Sequence, residues 1–218
     1  MTDRFPIAVL ASGTGTNLQA ILDTVHGRDG IEVVAVGSDR PDARALERAR
    51  RAGVPTAVFP LADHPDRAAR DAAMADWLAA RGARLVVLAG YMALLTPGFL
   101  ARFPQAVVNV HPALLPAFPG LRAVEQALAH GVRVFGATVH FVDEGVDTGP
   151  IILQRAVELP HARDADEVLT HVHAIEHELL PEAIRLIARG AVRPDPANPR
   201  RILLDAGDAA TRPRRPVP

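Results

Sequence analysis

Two polar side chains that could act on a carbonyl carbon lie two positions apart at the end of an apolar run. Asn109 and His111 follow Val107 and Val108, so in a strand both side chains leave on the same face. An amide donor beside an imidazole can stabilise an oxyanion and protonate it. A histidine at a strand end is also common in structural roles, and it is the neighbouring Asn109 that favours a catalytic interpretation.

A later turn, at residues 143–150, carries three carboxylates ahead of an apolar strand. A solvated hairpin turn is the simpler interpretation of this segment. A carboxylate brought close to His111 would, however, favour the charged form of the imidazole. We select Asp147 as that partner, because the tight bend expected at Thr148 to Pro150 would fix its backbone.

A glycine-containing loop, ASGTGTN at residues 11–17, separates the first predicted strand from the first predicted helix. Glycines let the backbone approach an anion, and the free amides at a helix start point toward it. We therefore expect a phosphate group to bind at Gly15, Thr16 and Asn17.

The residues of this loop alone also allow two alternatives. One is a plain tight turn capped by Thr16. The second is a dinucleotide site, in which Asp39 at the end of the second strand would bind a ribose. Leu18 stands where the dinucleotide turn needs its third glycine, which weighs against that site.

The elements that must position these residues alternate between strands and helices. Five short runs, apolar almost throughout, are typical of parallel strands buried on both faces; they lie at residues 7–10, 33–38, 56–59, 85–89 and 107–110. Segments with helical periodicity separate them, at residues 18–25, 41–53 and 66–80. The pattern predicts an α/β fold with a doubly wound, mainly parallel sheet.

The second half of the chain changes character. Residues 133–142 and 151–157 predict an antiparallel addition to the sheet, and residues 165–188 predict a long helix that Pro181 should kink or split. We assign residues 1–190 to one catalytic domain and residues 191–218 to a C-terminal extension. The Pro- and Arg-rich end of that extension, residues 211–218, is predicted to be disordered.

Composition excludes several classes of protein. The 218 residues carry 24 basic and 25 acidic side chains, with neither cysteine nor lysine, which removes disulfides, thiolate metal sites and Schiff-base chemistry. His173 and His177 have a spacing that zinc sites use, but further ligands are missing from the pattern and we expect no metal.

The balance of charge and the absence of targeting signals bear on partners and location. A net charge of −1 gives no long-range attraction for nucleic acid. The N-terminus does not resemble a signal peptide, and the longest apolar stretch, residues 85–95, is about half a membrane span. We expect a cytoplasmic monomer or homodimer that binds small molecules.

Four segments taken together resemble a known family, the phosphoribosylglycinamide formyltransferases, which are folate-dependent enzymes of purine biosynthesis. The segments are the glycine loop at residues 11–17, GYMALL at 90–95, NVHPALLP at 109–116 and DTGP at 147–150. Their order and separations match the family, and the likeness runs from about residue 7 to residue 190. The resemblance implies a Rossmann-like fold that moves a formyl group from 10-formyltetrahydrofolate, as co-substrate, to the amine of 5′-phosphoribosylglycinamide.

The resemblance also implies a role for each matching residue. Asn109 would hold the oxyanion of the tetrahedral intermediate, His111 would stabilise and protonate it, and Asp147 would keep His111 charged and help to relay the amine proton. On the acceptor side, Gly15, Thr16 and Asn17 would bind the ribose phosphate and Glu176 the glycinamide. On the folate side, the implied contacts are Arg67 at the glutamate tail and, in the pterin pocket, Met92, Ala93, Leu94 and Leu95, together with Asn109.

The sequence departs from the family pattern at three positions. The family often has a basic residue where this chain has Ala93, a serine in place of Ala113, and glutamine or lysine in place of His173. Relatives that share the catalytic trio remain alternatives. A formyltetrahydrofolate hydrolase would carry an extra N-terminal domain, and a methionyl-tRNA formyltransferase would carry a C-terminal RNA-binding domain. A formyl-sugar transferase uses the same trio, and in a simple nucleotide-binding module His111 would be structural.

Overall fold

The computed structural model describes residues 4–205. Within this range, nine strands form one continuous sheet in the order β3-β2-β1-β4-β5-β6-β7-β9-β8. In chain order, β1 to β9 span Phe5–Leu10, Ile31–Ser38, Thr56–Val58, Leu85–Leu88, Val107–His111, Val134–Phe141, Ile151–Glu158, Val192–Asp195 and Asn198–Leu204. The first five strands pair in parallel, whereas β6 runs antiparallel to both β5 and β7.

Six α-helices of the described chain cover the two faces of this sheet. In chain order, α1 to α6 span Thr16–Thr24, Arg44–Arg51, Arg67–Ala79, Pro97–Arg102, Ala123–His130 and Ala165–Ala188. Apolar residues of α1, α2, α5 and α6 share one core with the sheet, and those of α3 and α4 share a second core on the opposite face. The prediction of a doubly wound, mainly parallel sheet with an antiparallel addition is confirmed.

The apolar runs of the sequence are explained by this double coverage. In β1, Ile7 and Val9 belong to one core, and Ala8 and Leu10 belong to the other, and all four are fully buried. A strand whose alternate side chains enter two cores must be apolar at every position. The hydrophobic stabilisation of both layers therefore depends on the same strands.

The strand order of the sheet changes direction between the neighbouring strands β1 and β4. Strands β2 and β3 extend the sheet from one side of β1, and β4 and β5 extend it from the other. In open α/β sheets, ligands bind beyond the carboxyl ends of the strands at such a switch point. The segments that follow β1, β4 and β5 at this edge contain most of the residues singled out in the sequence.

Two features of the C-terminal part differ from the sequence predictions. Of the two outcomes predicted at Pro181, a kink or a split, the split does not occur, because helix α6 runs unbroken from Ala165 to Ala188. Residues 192–204 of the C-terminal extension, for which no strand was predicted, form a hairpin of β8 and β9 that joins the sheet beside β7. The segment predicted to be disordered, residues 211–218, lies outside the described residues, and the boundary at residue 190 stays a prediction.

No helix within residues 4–205 has both the length and the apolar character needed to cross a membrane.

Candidate active site

Asn109, His111 and Asp147 meet at the carboxyl end of β5. Asn109 lies on β5 and His111 is its last residue, so the two side chains emerge on the same face. Asp147 reaches them from the turn between β6 and β7. Its Oδ1 accepts from Asn109 Nδ2 at 3.4 Å, and its Oδ2 lies 3.3 Å from His111 Nδ1. The geometry brings Asp147 to the pair of residues, Asn109 and His111, that the sequence singled out on β5.

A fourth polar residue, His140, completes this cluster. It lies on β6 directly opposite Asn109 in the antiparallel register and is 2% exposed. Its Nε2 is 3.3 Å from Asn109 Nδ2 and 3.5 Å from Asp147 Oδ1. The sequence analysis missed His140, because only the register between β5 and β6 places it beside Asn109.

Both ring nitrogens of His111 face acceptors. Nε2 lies 2.8 Å from the carbonyl oxygen of Phe118, and Nδ1 faces the Asp147 carboxylate. A neutral imidazole has one N–H and can satisfy only one of these acceptors, whereas the imidazolium can satisfy both. The hydrogen-bonding pattern around this buried side chain therefore favours its charged form.

Asp147 is held in place by its backbone and by a second loop. Its φ of 54° lies in the left-handed region, and the Gly120 N–H donates to Oδ2 at 2.8 Å. Gly149 is required nearby, because a Cβ there would lie 1.8 Å from the Phe141 carbonyl oxygen. In the same turn, the Thr148 carbonyl oxygen accepts a hydrogen bond from the side chain of Arg200 in β9. The carboxylate is thus positioned before any substrate binds.

The electrostatics of the cluster keep Asp147 ionised. Burial is the largest single influence and raises the pKa of this carboxyl, but the hydrogen bonds from His140 and the Gly120 N–H together with the charges of His111 and His140 outweigh it. The net result is a pKa lowered to about 2. At neutral pH, Asp147 is therefore a fixed negative charge between two histidines.

The glycine loop leads directly into α1. Gly15 is the residue before the helix, with φ 73°, and no side chain of the described residues caps the first turn, so the Thr16-capped turn considered above is not what forms. A Cβ on Gly15 would lie 2.7 Å from Ala45 of α2, so only glycine fits both the conformation and the contact. The N–H groups of this uncapped first turn remain available to an anion.

Asp39, the residue on which a dinucleotide site would depend, is engaged elsewhere. Its Oδ1 accepts a hydrogen bond from Ser12 Oγ at 2.6 Å. The same hydroxyl accepts from the backbone N–H of Met92 at 2.9 Å. Asp39 and Ser12 therefore join the glycine loop to the loop after β4, and this arrangement does not support ribose binding by Asp39.

The loop after β4 carries the residues that the resemblance placed at the folate. Residues 91–96 lack regular structure, and the side chains of Met92 and Leu94 are 65% and 56% exposed. Arg67, the first residue of α3, donates to the Leu94 carbonyl at 3.2 Å. The implied folate contacts thus form one continuous surface.

Glu176 of α6 is a buried carboxyl at the glycine loop. It is 4% exposed, and its Oε2 accepts from Asn17 Nδ2 at 2.8 Å. Burial raises its pKa to about 7, although the Asn17 hydrogen bond opposes that shift. Asn17 Oδ1 is also buried, and no group within residues 4–205 donates a hydrogen bond to it. The hydrogen bond from Asn17 therefore links the Glu176 carboxyl of α6 to the predicted phosphate site.

One cleft, with a volume of about 1460 Å³, contains all of these groups. Its wall includes every residue that the sequence analysis assigned to catalysis or binding: Gly15, Thr16, Asn17, Arg67, Met92, Ala93, Leu94, Leu95, Asn109, His111, Asp147 and Glu176. The volume exceeds the roughly 300–1000 Å³ typical of pockets for one drug-sized ligand. A site for two substrates needs such room.

The histidine pair on α6 has no metal-site geometry. The rings of His173 and His177 stack with centroids 6.4 Å apart, and burial lowers the pKa of each. Within the described part of the chain, no group of three potential ligand side chains could hold a metal ion.

Comparison with known proteins identifies the family. The family model described as formyl transferase matches residues 5–184. The chain belongs to the formyl transferase family. This formyl transferase is 47% identical over 186 residues to "Phosphoribosylglycinamide formyltransferase" of Mycobacterium tuberculosis, covering 85% of this chain and 86% of the relative.

Two further relatives show how widely the likeness extends. The crystal structure of glycinamide ribonucleotide transformylase 1 from Symbiobacterium toebii superposes on this formyl transferase with a TM-score of 0.89 at 50% identity, covering 94% of this chain and 95% of that one. The "Trifunctional purine biosynthetic protein adenosine-3" of Drosophila melanogaster is 43% identical over 187 residues, covering 84% of this chain and 14% of the longer protein.

Proposed function

We propose that this formyl transferase moves the formyl group of 10-formyltetrahydrofolate to the amine of 5′-phosphoribosylglycinamide, giving formylglycinamide ribonucleotide and tetrahydrofolate in purine biosynthesis. The observation that carries the proposal is the contact of Asn109, His111 and Asp147 in one cleft, between an uncapped helix start and a loop with exposed backbone and apolar groups. The names of the relatives support the same reaction.

The acceptor fits the side of the cleft formed by α1 and α6. The free N–H groups of Gly15, Thr16 and Asn17 suit a ribose phosphate, because the helix dipole and the amides both favour an anion. The Glu176 carboxyl, which lines the cleft beside Asn17, offers an acceptor to the glycinamide amine.

The donor fits the opposite side, at the loop after β4. Exposed Met92 and Leu94 give apolar surface for a flat ring system, and the backbone groups of the same loop can bind the polar edge of a pterin. Arg67 at the end of this surface supplies a positive charge for a glutamate tail. When bound, 10-formyltetrahydrofolate supplies the reactive formyl group.

The catalytic trio lies between the two substrates. Attack by the amine nitrogen on the formyl carbon forms the new N–C bond and places negative charge on the formyl oxygen, where Asn109 Nδ2 donates a hydrogen bond. The His111 imidazolium stabilises that charge, and when the intermediate collapses the C–N10 bond breaks, the carbonyl re-forms and N10 of the leaving folate takes the proton that His111 provides. Asp147 helps to pass the proton released by the amine nitrogen back to His111, so that in total one proton moves from the amine to N10. With its pKa lowered to about 2, Asp147 carries that proton only transiently.

We further propose that the enzyme works in the cytoplasm on small molecules alone, as a monomer or homodimer, without a metal, nucleic acid or membrane partner. The net charge of −1 supports the absence of a polyanionic partner.

One assay tests the reaction. Purified protein is mixed with 10-formyltetrahydrofolate with and without phosphoribosylglycinamide, and both tetrahydrofolate and formylated ribonucleotide are quantified. Turnover only with both substrates, at a product ratio of one to one, is the expected result. Folate release without the ribonucleotide would show a hydrolase instead, and no product in either mixture would overturn the proposal.

A further inference from the structure

Two consecutive charged residues of α3, Arg70 and Asp71, are buried as an ion pair outside the catalytic cluster. Arg70 is 3% exposed and Asp71 is fully buried. The Arg70 guanidinium donates twice to Asp71 Oδ1, from Nε at 2.9 Å and from Nη2 at 2.6 Å. Such side chains are rarely buried this completely, so their remaining contacts show what they do.

The remaining polar contacts of the pair go to the loop after β4. The second carboxylate oxygen of Asp71 accepts from the Thr96 N–H at 2.7 Å. Arg70 Nη2 also donates to the Leu94 carbonyl at 3.3 Å. The pair therefore holds two backbone groups that are two residues apart in a segment without regular structure.

This leaves the other backbone groups of the loop for a ligand. Ser12 takes the N–H of Met92 at the start of the loop, and the ion pair takes the groups of Leu94 and Thr96 at its end. Between these anchors, within the described part of the chain, the backbone of Ala93 and Leu95 makes no hydrogen bond. Both residues line the cleft.

Stability alone does not account for the pair. Removing two charges from water is costly, and an apolar pair of similar size is often equally stable or more stable. A buried ion pair does, however, fix its partners in one arrangement, because every misplacement leaves a charge without its hydrogen bonds. We infer that Arg70 and Asp71 are positioning residues, which fix the loop at residues 91–96 in the conformation that binds the formyl donor. The inference rests on the proposed function for the identity of that ligand.

The test replaces the pair by apolar residues of similar volume, Arg70→Met with Asp71→Leu, so that no lone charge stays buried. Steady-state kinetics then give kcat and the KM for each substrate. The KM for 10-formyltetrahydrofolate is expected to rise at least tenfold, with the KM for phosphoribosylglycinamide within twofold and kcat within threefold of the wild type. A donor KM within twofold of the wild type, or a parallel rise of both KM values, would overturn the inference.

Asp76→Asn is the matched control, since Asp76 lies on the same helix in an exposed pair with Arg102. Both KM values should stay at the wild-type level. If the double variant does not fold, Arg70→Lys decides: it keeps a charge beside Asp71 but loses the contact with the Leu94 carbonyl. Its donor KM should rise at least threefold, and an unchanged value contradicts the positioning role.

A second readout does not depend on turnover. Exchange of the Thr96 amide hydrogen, which Asp71 accepts, should be at least tenfold faster in the double variant than in the wild type, with β4 unchanged. Equal exchange rates would overturn the positioning role even if the wild type proved to have another activity. Failure of the wild type in the two-substrate assay, by contrast, concerns only the proposed function.

Discussion

Oδ2 of Asp147 lies 3.3 Å from Nδ1 of His111, although the two residues come from the turn after β6 and the end of β5. The other nitrogen of the same imidazole faces the Phe118 carbonyl. An imidazole between a carboxylate and a carbonyl can fill both contacts only when it is protonated on both nitrogens. Acceptors from two separate segments therefore fix the orientation of the His111 ring.

Asp147→Asn should lower kcat, because the His111 imidazole loses the carboxylate that faces its Nδ1. The acid limb of the pH profile of kcat/KM should come from protonation of the substrate amine and not from Asp147, because the pKa of Asp147 is lowered to about 2. The profiles of wild type and variant, measured where chemistry limits the rate, check this. An unchanged kcat in the variant would contradict the role of Asp147.

Asn109→Ala should lower kcat on the order of a hundredfold or more, as the loss of an oxyanion donor usually does. The measurement is kcat with both substrates saturating, with binding of phosphoribosylglycinamide followed separately. Binding should be retained, because the proposed phosphate site lies at the start of α1 and not at Asn109. A loss of tenfold or less would mean that Asn109 mainly supports His140 and Asp147.

Glu176 should make stability depend on pH in the direction opposite to an ordinary carboxylate. Its pKa is raised from 4.5 to about 7 in the folded protein. Its contribution to the free energy of unfolding is therefore complete below pH 4.5 and is lost as the pH rises from 4.5 through 7. The loss amounts to about 3 kcal/mol at most. Urea unfolding between about pH 4.5 and pH 8.5 should show this loss in the wild type but not in Glu176→Gln.

Glu178→Gln is the control for that experiment, because this neighbour on α6 is exposed and pairs with Arg155. It should leave the pH dependence of the unfolding free energy as in the wild type. If Glu176→Gln and Glu178→Gln behaved alike, burial of Glu176 would not be the cause of the trend.

Gly15→Ala should destabilise the protein by about 1–3 kcal/mol, since the new Cβ would meet Ala45 in a left-handed backbone conformation. Gly13→Ala is the matched comparison in the same loop, because no atom of the described residues lies within 4 Å of a Cβ there. Its free energy of unfolding should stay within about 1 kcal/mol of the wild type. Thermal or urea unfolding of both variants distinguishes the two positions, and equal losses would rule out the contact with α2 as the reason for Gly15.

Local patterns were sufficient for much of this molecule. The double burial of β1 and β4 requires apolar runs, and the exit of Asn109 and His111 on one face follows from the two-residue repeat of a strand. Asp147 could be chosen because its turn is tight. Each of these inferences depends on a few consecutive residues, which the sequence displays directly.

What could not be predicted depends on contacts between distant segments. His140 joins the catalytic cluster through the register of β5 with β6, and no local pattern specifies a register. The hairpin of β8 and β9 forms in a segment whose composition resembles a linker, because pairing with β7 supplies partners that the sequence does not reveal. Pro181 stays inside α6, where the buried environment of the helix compensates for one missing hydrogen bond.

The order of the strands also determines what the two margins of the sheet can do. At one margin lies β3, only three residues long; at the other lies β8, in which Pro194 offers no N–H and Arg193 is exposed. Short strands, prolines and charges are the features that prevent one sheet from extending into another. Within the described residues, both margins of the sheet therefore carry features that disfavour edge-to-edge pairing between copies of this chain.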